Sequence, residues 1–382
     1  MNAEKRVLKT IEGREPDRVP SFESLITNNS LFKHYQIPIK NVEIPKLPSK
    51  MLMRIVENAK LFKENYKNNY TLYQKIGIDI VPIVTTFYPY LSLDKNKYVD
   101  EYGRILQQEY YTKDKTAVEG YIGGYFKSFE DYESWERPDP AWEARINHYD
   151  VAKEVQRELN DQIFCIPGTG ALMEVSWESF GLETFSKILA KTKQAKKIFD
   201  DNGRFTLEFV KIFSEIGANL IILYDDMGYK NGLFMSPRNY QKYVFPWYKR
   251  ICDAAHKNDC KILLHSDGDL FDIFEDIINC GVDAIHPIEP TTANPDYDIF
   301  KLGKKYQDKI TFIGNVSPMM LASAEVEEIK HYATRLIKEL APGGRYIFGS
   351  GHSINPAVTL NRFEAMYDVK RKYGSYPINI PK

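Results

Sequence analysis

The 382-residue chain sets 51 lysines and arginines against 52 acids, a formal net charge of −1, and 13% of its residues are aromatic. So balanced a chain has no field that calls for nucleic acid or an acidic membrane surface, and the expected ligand is a small molecule. No stretch approaches the roughly 18 to 20 apolar residues of a membrane span, and the charged opening MNAEKRVLKTIEGREPDRVP lacks the apolar core of a signal peptide, so a cytoplasmic location is expected.

In chain order, Val19-Pro20 reads as a first strand end, and Pro38, Pro45 and Pro48 mark an exposed loop. Residues 80–83 form a second strand, and Asp100-Glu101-Tyr102-Gly103-Arg104 a turn in a hairpin-like insertion. From about residue 160, β-rich runs alternate with amphipathic helical patterns, as parallel strands joined by crossover helices do. The runs are 162–166, 219–224, 261–264, 282–285, 310–313 and 345–348. Ser236-Pro237 opens a helix as N-cap and first-turn proline, and Pro246 breaks or restarts it. Val326, Ile329, Ala333, Leu336 and Leu340 recur at spacings of three and four, the stripe of a helix that stops before Pro342-Gly343-Gly344. Eight strands allow closure. The expected fold is an α/β (β/α)8 barrel with an N-terminal extension and insertions, occupying 1–382 as one domain. The four cysteines, Cys165, Cys252, Cys260 and Cys280, form no CxxC pair and read as structural reduced thiols.

In such a barrel, reacting groups sit at the C-terminal ends of strands, where the loops converge on one mouth. Asp225, Asp226, His265, Asp267, Glu289, Asn315 and His352 all fall there. His265 and Asp267 flank one residue at a strand end, and His352 follows the small residues Gly349-Ser350-Gly351, through which backbone can approach a ligand. Asp267 reads equally as a turn residue with Gly268 or as an N-cap. Of the adjacent acids Asp225 and Asp226 only one can face the site, with Asp226 favoured. Glu289 is either a site acid or a solvated loop carboxylate, while His286 and Asn315 organise loops. Trp177, Phe180 and Tyr224, with Asn315, are candidates to line a substrate pocket; the aromatic residues read alternatively as core. Two imidazoles and a carboxylate suit a divalent metal with open positions and lack the soft thiolate that would favour a thiol.

The stretches GREPDRVP, YDDMGYKNGLFMSP, LLHSDGDL, IHPIEP, FIGNVSP and GGRYIFGSGHSINP, in this order, resemble the uroporphyrinogen decarboxylase superfamily, most densely over 219–361. The resemblance implies a (β/α)8 barrel with a deep mouth. It also implies one of two activities: metal-free decarboxylation of a tetrapyrrole, or methyl transfer to or from a corrinoid protein, commonly with zinc. The decarboxylases carry an arginine-rich signature similar to RQAGRYLP, where this chain has PSFESLITNNSLFKHY. Thiol-methylating members carry His-x-Cys and a late Cys as zinc ligands. Here His265 keeps its place, Asp267 stands where the first Cys would be, and His352 about where the second would be. The better match is to relatives that demethylate methyl ethers or other oxygen- or nitrogen-linked donors, with cobalt(I) attacking the methyl carbon. On that resemblance His265, Asp267 and His352 are expected to bind zinc or form an acid cluster, with Asp226 or Glu289 as a further ligand or proton relay. The corrinoid is expected on a separate protein docking at the mouth, and a homodimer is left open. The alternatives are a uroporphyrinogen decarboxylase and a non-catalytic tetrapyrrole- or corrinoid-binding member.

Overall fold

The computed structural model describes residues 1–39, 45–111, 113 and 115–381. Eight strands close into a parallel barrel in chain order: β1 Ser21–Phe22, β2 Ile80–Val84, β3 Phe164–Gly170, β4 Leu220–Tyr224, β5 Lys261–His265, β6 Ala284–His286, β7 Thr311–Ile313 and β8 Tyr346–Gly349. The expected (β/α)8 architecture is therefore the one observed. Strand positions agree to within a few residues, with two instructive differences.

The first strand lies just beyond Val19-Pro20 and is two residues long, because proline has no N–H to give a ladder. β3 runs straight through Pro167-Gly168-Thr169-Gly170, which the sequence reading placed after the strand. There the glycines serve packing rather than turning: a Cβ on Gly170 would lie 2.6 Å from the Phe87 ring, and one on Gly168 2.9 Å from Ile222.

The barrel is filled, not hollow. Phe22, Ile80, Phe164, Ile166, Leu220, Ile222, Leu263, Ile313 and Ile347 form its inner cluster, and helix Ala3–Ile11 closes the N-terminal end with Ala3, Val7 and Ile11. A larger outer cluster packs the other faces of the strands under helices such as Thr192–Glu215, Phe245–His256 and Val326–Leu340. Helix Pro237–Tyr243 starts at Ser236 and Pro237 as expected and the chain restarts at Phe245, although the Ser236 side chain makes no cap bond.

The hairpin-like insertion is larger than foreseen. It is an antiparallel sheet of Pro89–Asp94, Lys97–Asp100, Arg104–Tyr110 and Ala117–Gly124, seated on helix Met173–Phe180 where Gly124 meets the Phe180 backbone. Pro38, Pro45 and Pro48 are exposed; residues 40–44 of that loop lie outside the described residues. The four cysteines are free and buried, and burial pushes their thiols up, Cys165 to about 12 and Cys280 to about 11, which keeps them unreactive. Among the described residues no helix is long and apolar enough to cross a membrane.

Candidate active site

Strand alternation decides which side chains reach the mouth. On β4 the inward series Leu220, Ile222, Tyr224 continues past the strand end to Asp226; on β5, Leu263 and His265 lead to Asp267. Asp225, one residue off that parity, turns away. Its Oδ1 accepts from the N–H groups of Leu172, Met173 and Glu174, and its Oδ2 from the Tyr248 hydroxyl at 2.7 Å, so it anchors the start of helix Met173–Phe180.

Asp226, His265 and Asp267 each offer one ligand atom within 4.8 Å of the others, the group of this kind found among the described residues. Backbone contacts build it. The Asp267 N–H donates to Asp226 Oδ1 at 2.8 Å, and the Met227 N–H to Ser266 Oγ at 3.0 Å. Gly268 has φ +88°, and a Cβ there would lie 2.3 Å from the Gly228 carbonyl carbon, so glycine is what lets the two loops meet.

The two carboxylates conflict. At such a separation, like charges repel by on the order of 3 kcal/mol at an effective dielectric of about 20, several times thermal energy. The result is asymmetric. Burial, then the charge of Asp267, raises Asp226 well above the usual carboxylate range. Burial also opposes ionisation of Asp267, but the hydrogen bond from His352 foremost outweighs it and holds that acid below its ordinary value. The pair therefore holds a proton on Asp226 in preference to Asp267.

His265 has a defined lone pair. His286 Nε2 faces the Ser350 carbonyl oxygen at 3.1 Å; a carbonyl only accepts, so Nε2 carries the hydrogen and donates. Burial pushes His286 down to about 3, so its ring is neutral and its Nδ1 is an acceptor. The facing His265 Nδ1, 2.8 Å away, must then be the donor, leaving the lone pair of His265 Nε2 for the site. Burial also lowers His265, which favours that neutral form.

His352 stands at the rim, half its side chain exposed, with Nε2 3.2 Å from Asp267 Oδ2. The hydrogen bond to Asp267 raises it, which favours the imidazolium, the form without a lone pair for a metal. Of the ligand set expected from sequence, His265 and Asp267 therefore sit together with Asp226, while His352 is the ion-pair partner of Asp267. Glu289 accepts from the N–H and hydroxyl of Thr291, the latter at 2.6 Å, and burial raises it.

Tyr224 packs edge-on to His265 at 5.3 Å, and Trp177 stacks obliquely on Phe234 at 5.0 Å with its Nε1–H unpartnered. Asn315 is buried with Oδ1 unpartnered. Phe180 is corrected: it is 3% exposed and packs on Phe126 and Tyr132 beneath the inserted sheet, because helix Met173–Phe180 turns that side away from the mouth.

The donor set fits a divalent cation. One imidazole nitrogen and two carboxylate oxygens converge, Asp267 Oδ1 is buried with no partner, and a cation would relieve the repulsion that now holds a proton on Asp226. Sequence reasoning gave His286 a loop role and missed Glu174. Burial raises Glu174, and Arg104 binds it at 3.1 Å together with Glu178 at 2.8 Å. His286 had a signal, its strand-end place in register with His265; Glu174 had none, since it enters from a helix.

The uroporphyrinogen decarboxylase (URO-D) family model matches residues 111–373. Curated relatives include uroporphyrinogen decarboxylases of Christiangramia forsetii, 24% identical over 59% of this chain, and of Aquifex aeolicus, 24% identical over 62%. The matches span 64% and 67% of those relatives' lengths. A solved methyltransferase from Methanosarcina mazei shares the fold at a TM-score of 0.70 and 18% identity, covering 98% of this chain and 99% of that one.

Proposed function

The chain belongs to the uroporphyrinogen decarboxylase family, and from that premise we propose that it is a methyltransferase moving a methyl group from a small oxygen- or nitrogen-linked donor, a methyl ether foremost, to the cobalt(I) corrinoid of a separate protein. The observation that carries this reading is the Asp226, His265 and Asp267 group: hard oxygen and nitrogen donors without a thiolate, at the mouth of the barrel. The similarity in fold to the Methanosarcina mazei methyltransferase supports it.

The barrier in such chemistry lies in expelling a poor leaving group such as an alkoxide or aryloxide. A divalent ion, with zinc the first candidate, held by His265 Nε2, Asp226 and Asp267 would supply Lewis acidity to that oxygen. The chain's own residues do the rest. With no ion bound, Asp226, raised well above the usual carboxylate range, is placed to donate a proton to the departing oxygen; His352 favours the ionised form of Asp267 and orients it. Tyr224 and Trp177 offer apolar walls to the donor, and the unpartnered Trp177 N–H and Asn315 Oδ1 offer it polar contacts. Glu289 serves as a proton relay toward the rim.

A docking corrinoid protein requires an accessible, partly apolar rim. Leu25, Tyr229, Phe271 and Met319, from the loops after β1, β4, β5 and β7, are exposed at 52%, 47%, 42% and 68%. Purification without chelator, with elemental analysis of the wild type, His265→Ala and His352→Ala, tests the site first. Near one zinc per chain, lost in His265→Ala along with methyl-ether demethylation on added cobalt(I) corrinoid, is the expected result; full demethylation by His265→Ala would sink the reading.

The curated relatives favour a second reading, uroporphyrinogen decarboxylation. Binding that substrate's carboxylates calls for free guanidinium groups, whereas Arg104 is committed to Asp100, Glu174 and Glu178. A porphyrinogen decarboxylation assay distinguishes the two.

A further inference from the structure

Glu23, directly after β1, takes no part in the chemistry above, yet it is fully buried against the loop that carries His352. Its Oε1 accepts from the Ser350 N–H at 3.2 Å and the Tyr367 hydroxyl at 2.8 Å, and its Oε2 meets Ser350 Oγ in a short contact. The same Ser350 Oγ meets the carbonyl oxygen of His352. A serine hydroxyl owns one proton, and a carbonyl can only accept. Both contacts are satisfied together only if Glu23 Oε2 carries a proton and donates it to Ser350, while Ser350 donates its own to His352.

We propose that a neutral Glu23, acting through Ser350, is the positioning group that holds the His352 loop over the site, and that loss of its proton frees that loop. Ser350 joins both sides of the mouth: its hydroxyl fixes the His352 backbone, and its carbonyl receives the His286 N–H that sets the tautomer of His265. When Glu23 ionises, the Ser350 proton turns to the carboxylate and the His352 carbonyl loses its donor.

The surroundings suit this. Tyr367 binds the carboxyl and Tyr73 the Glu23 carbonyl oxygen at 3.4 Å. Lys370 draws the acid down, but it is itself occupied by Ser21 at 2.6 Å and lies 3.5 Å from Asp79. Burial outweighs these and raises Glu23 to about 7. The inference rests on the proposed function only in taking this mouth as the active site.

Glu23→Gln tests it, because a glutamine amide can donate where the carboxyl proton does and accept where Oε1 does. In the full-length protein, the wild-type minus Glu23→Gln infrared difference spectrum should show the band of a neutral carboxyl at pH 6, and that band should fade as pH rises through 7. An acid raised from 4.5 to about 7 binds more protons folded than unfolded, so its stabilisation is full below 4.5 and lost as pH rises through 7. The wild-type Tm should therefore fall relative to Glu23→Gln between pH 5 and 8.

Ser350→Ala, which keeps the carbonyl to His286, should speed amide exchange at 351–354 at fixed pH. It should also weaken Zn2+ binding by about fivefold, while Glu23→Gln at pH 6 preserves both. A Glu23→Gln difference spectrum without a carboxylic band, or a Tm difference flat with pH, would overturn the proposal, as would unchanged exchange at 351–354 in Ser350→Ala. The infrared, Tm and exchange readouts need neither metal nor corrinoid. Failure of metal binding or methyl transfer alone would therefore count against the proposed function and leave these three to decide the role of Glu23.

Discussion

The two ends of the barrel bury comparable charge and treat it in opposite ways. At the N-terminal end Asp79, fully buried, accepts from Arg6 at 2.7 Å, from both terminal nitrogens of Arg18, and from the Ser21 N–H at 2.9 Å, with Lys370 nearby. At the C-terminal mouth two carboxylates face each other, Asp267 Oδ1 lacks a partner, and Asp226 is raised well above the usual carboxylate range. A satisfied cluster holds a fold together; an unsatisfied one awaits a ligand. Stability and chemistry are thus divided between the ends, as expected where one face of a barrel carries the loops and the other carries none of the site.

The comparison breaks first at its closed end. Asp79→Ala leaves buried Lys370 without its carboxylate and Arg6 with Asp17 alone, and should lower stability by about 3 to 5 kcal/mol in chemical denaturation, with zinc content per folded molecule unchanged. At the open end His265→Ala should do the reverse, cutting methyl transfer by at least about 100-fold while stability stays within about 1 kcal/mol. Equal stability losses at both ends would end the contrast. His286→Gln removes the acceptor for His265 Nδ1–H without touching the site, and competition with a chelator should show zinc affinity weaker by about 10- to 100-fold.

pH sharpens the contrast further. His265 and His286 are both lowered by burial, His286 to about 3, so the unfolded chain takes up protons that the native chain refuses. Their contribution is present above the unfolded value near 6.5 and is lost as pH falls below it, so the metal-free Tm should drop from pH 7 to pH 4.5, less steeply in His286→Gln. The smallest effect is the most diagnostic. Asp226→Asn removes the like-charge conflict and should stabilise the metal-free protein by about 0.5 to 1 kcal/mol while abolishing zinc binding, a gain that no site built for stability would show.

Much of this was legible before folding. Runs of β-rich residues separated by helical stripes gave eight strands, and the parity of Leu220, Ile222 and Tyr224 extends to Asp226 just as Leu263 and His265 extend to Asp267. Phe180 was misplaced because a helix presents its sides by three-residue and four-residue spacing, and which side meets the mouth depends on how the inserted sheet seats it. Glu23 was passed over since a lone acid after a two-residue strand has no local pattern.

By itself the sequence determined the period of its elements, the closure they permit and the acids and histidines delivered to strand ends, because those follow from local alternation. Only the tertiary structure decided which of them meet. It set Asp226 with His265 and Asp267, brought His352 to within 3.2 Å of Asp267, put a carbonyl of Ser350 behind His286, and placed two carboxylates where their charges conflict. Proton positions and charge states depend on distance and burial, and those arise when loops far apart in the chain are brought to a single mouth.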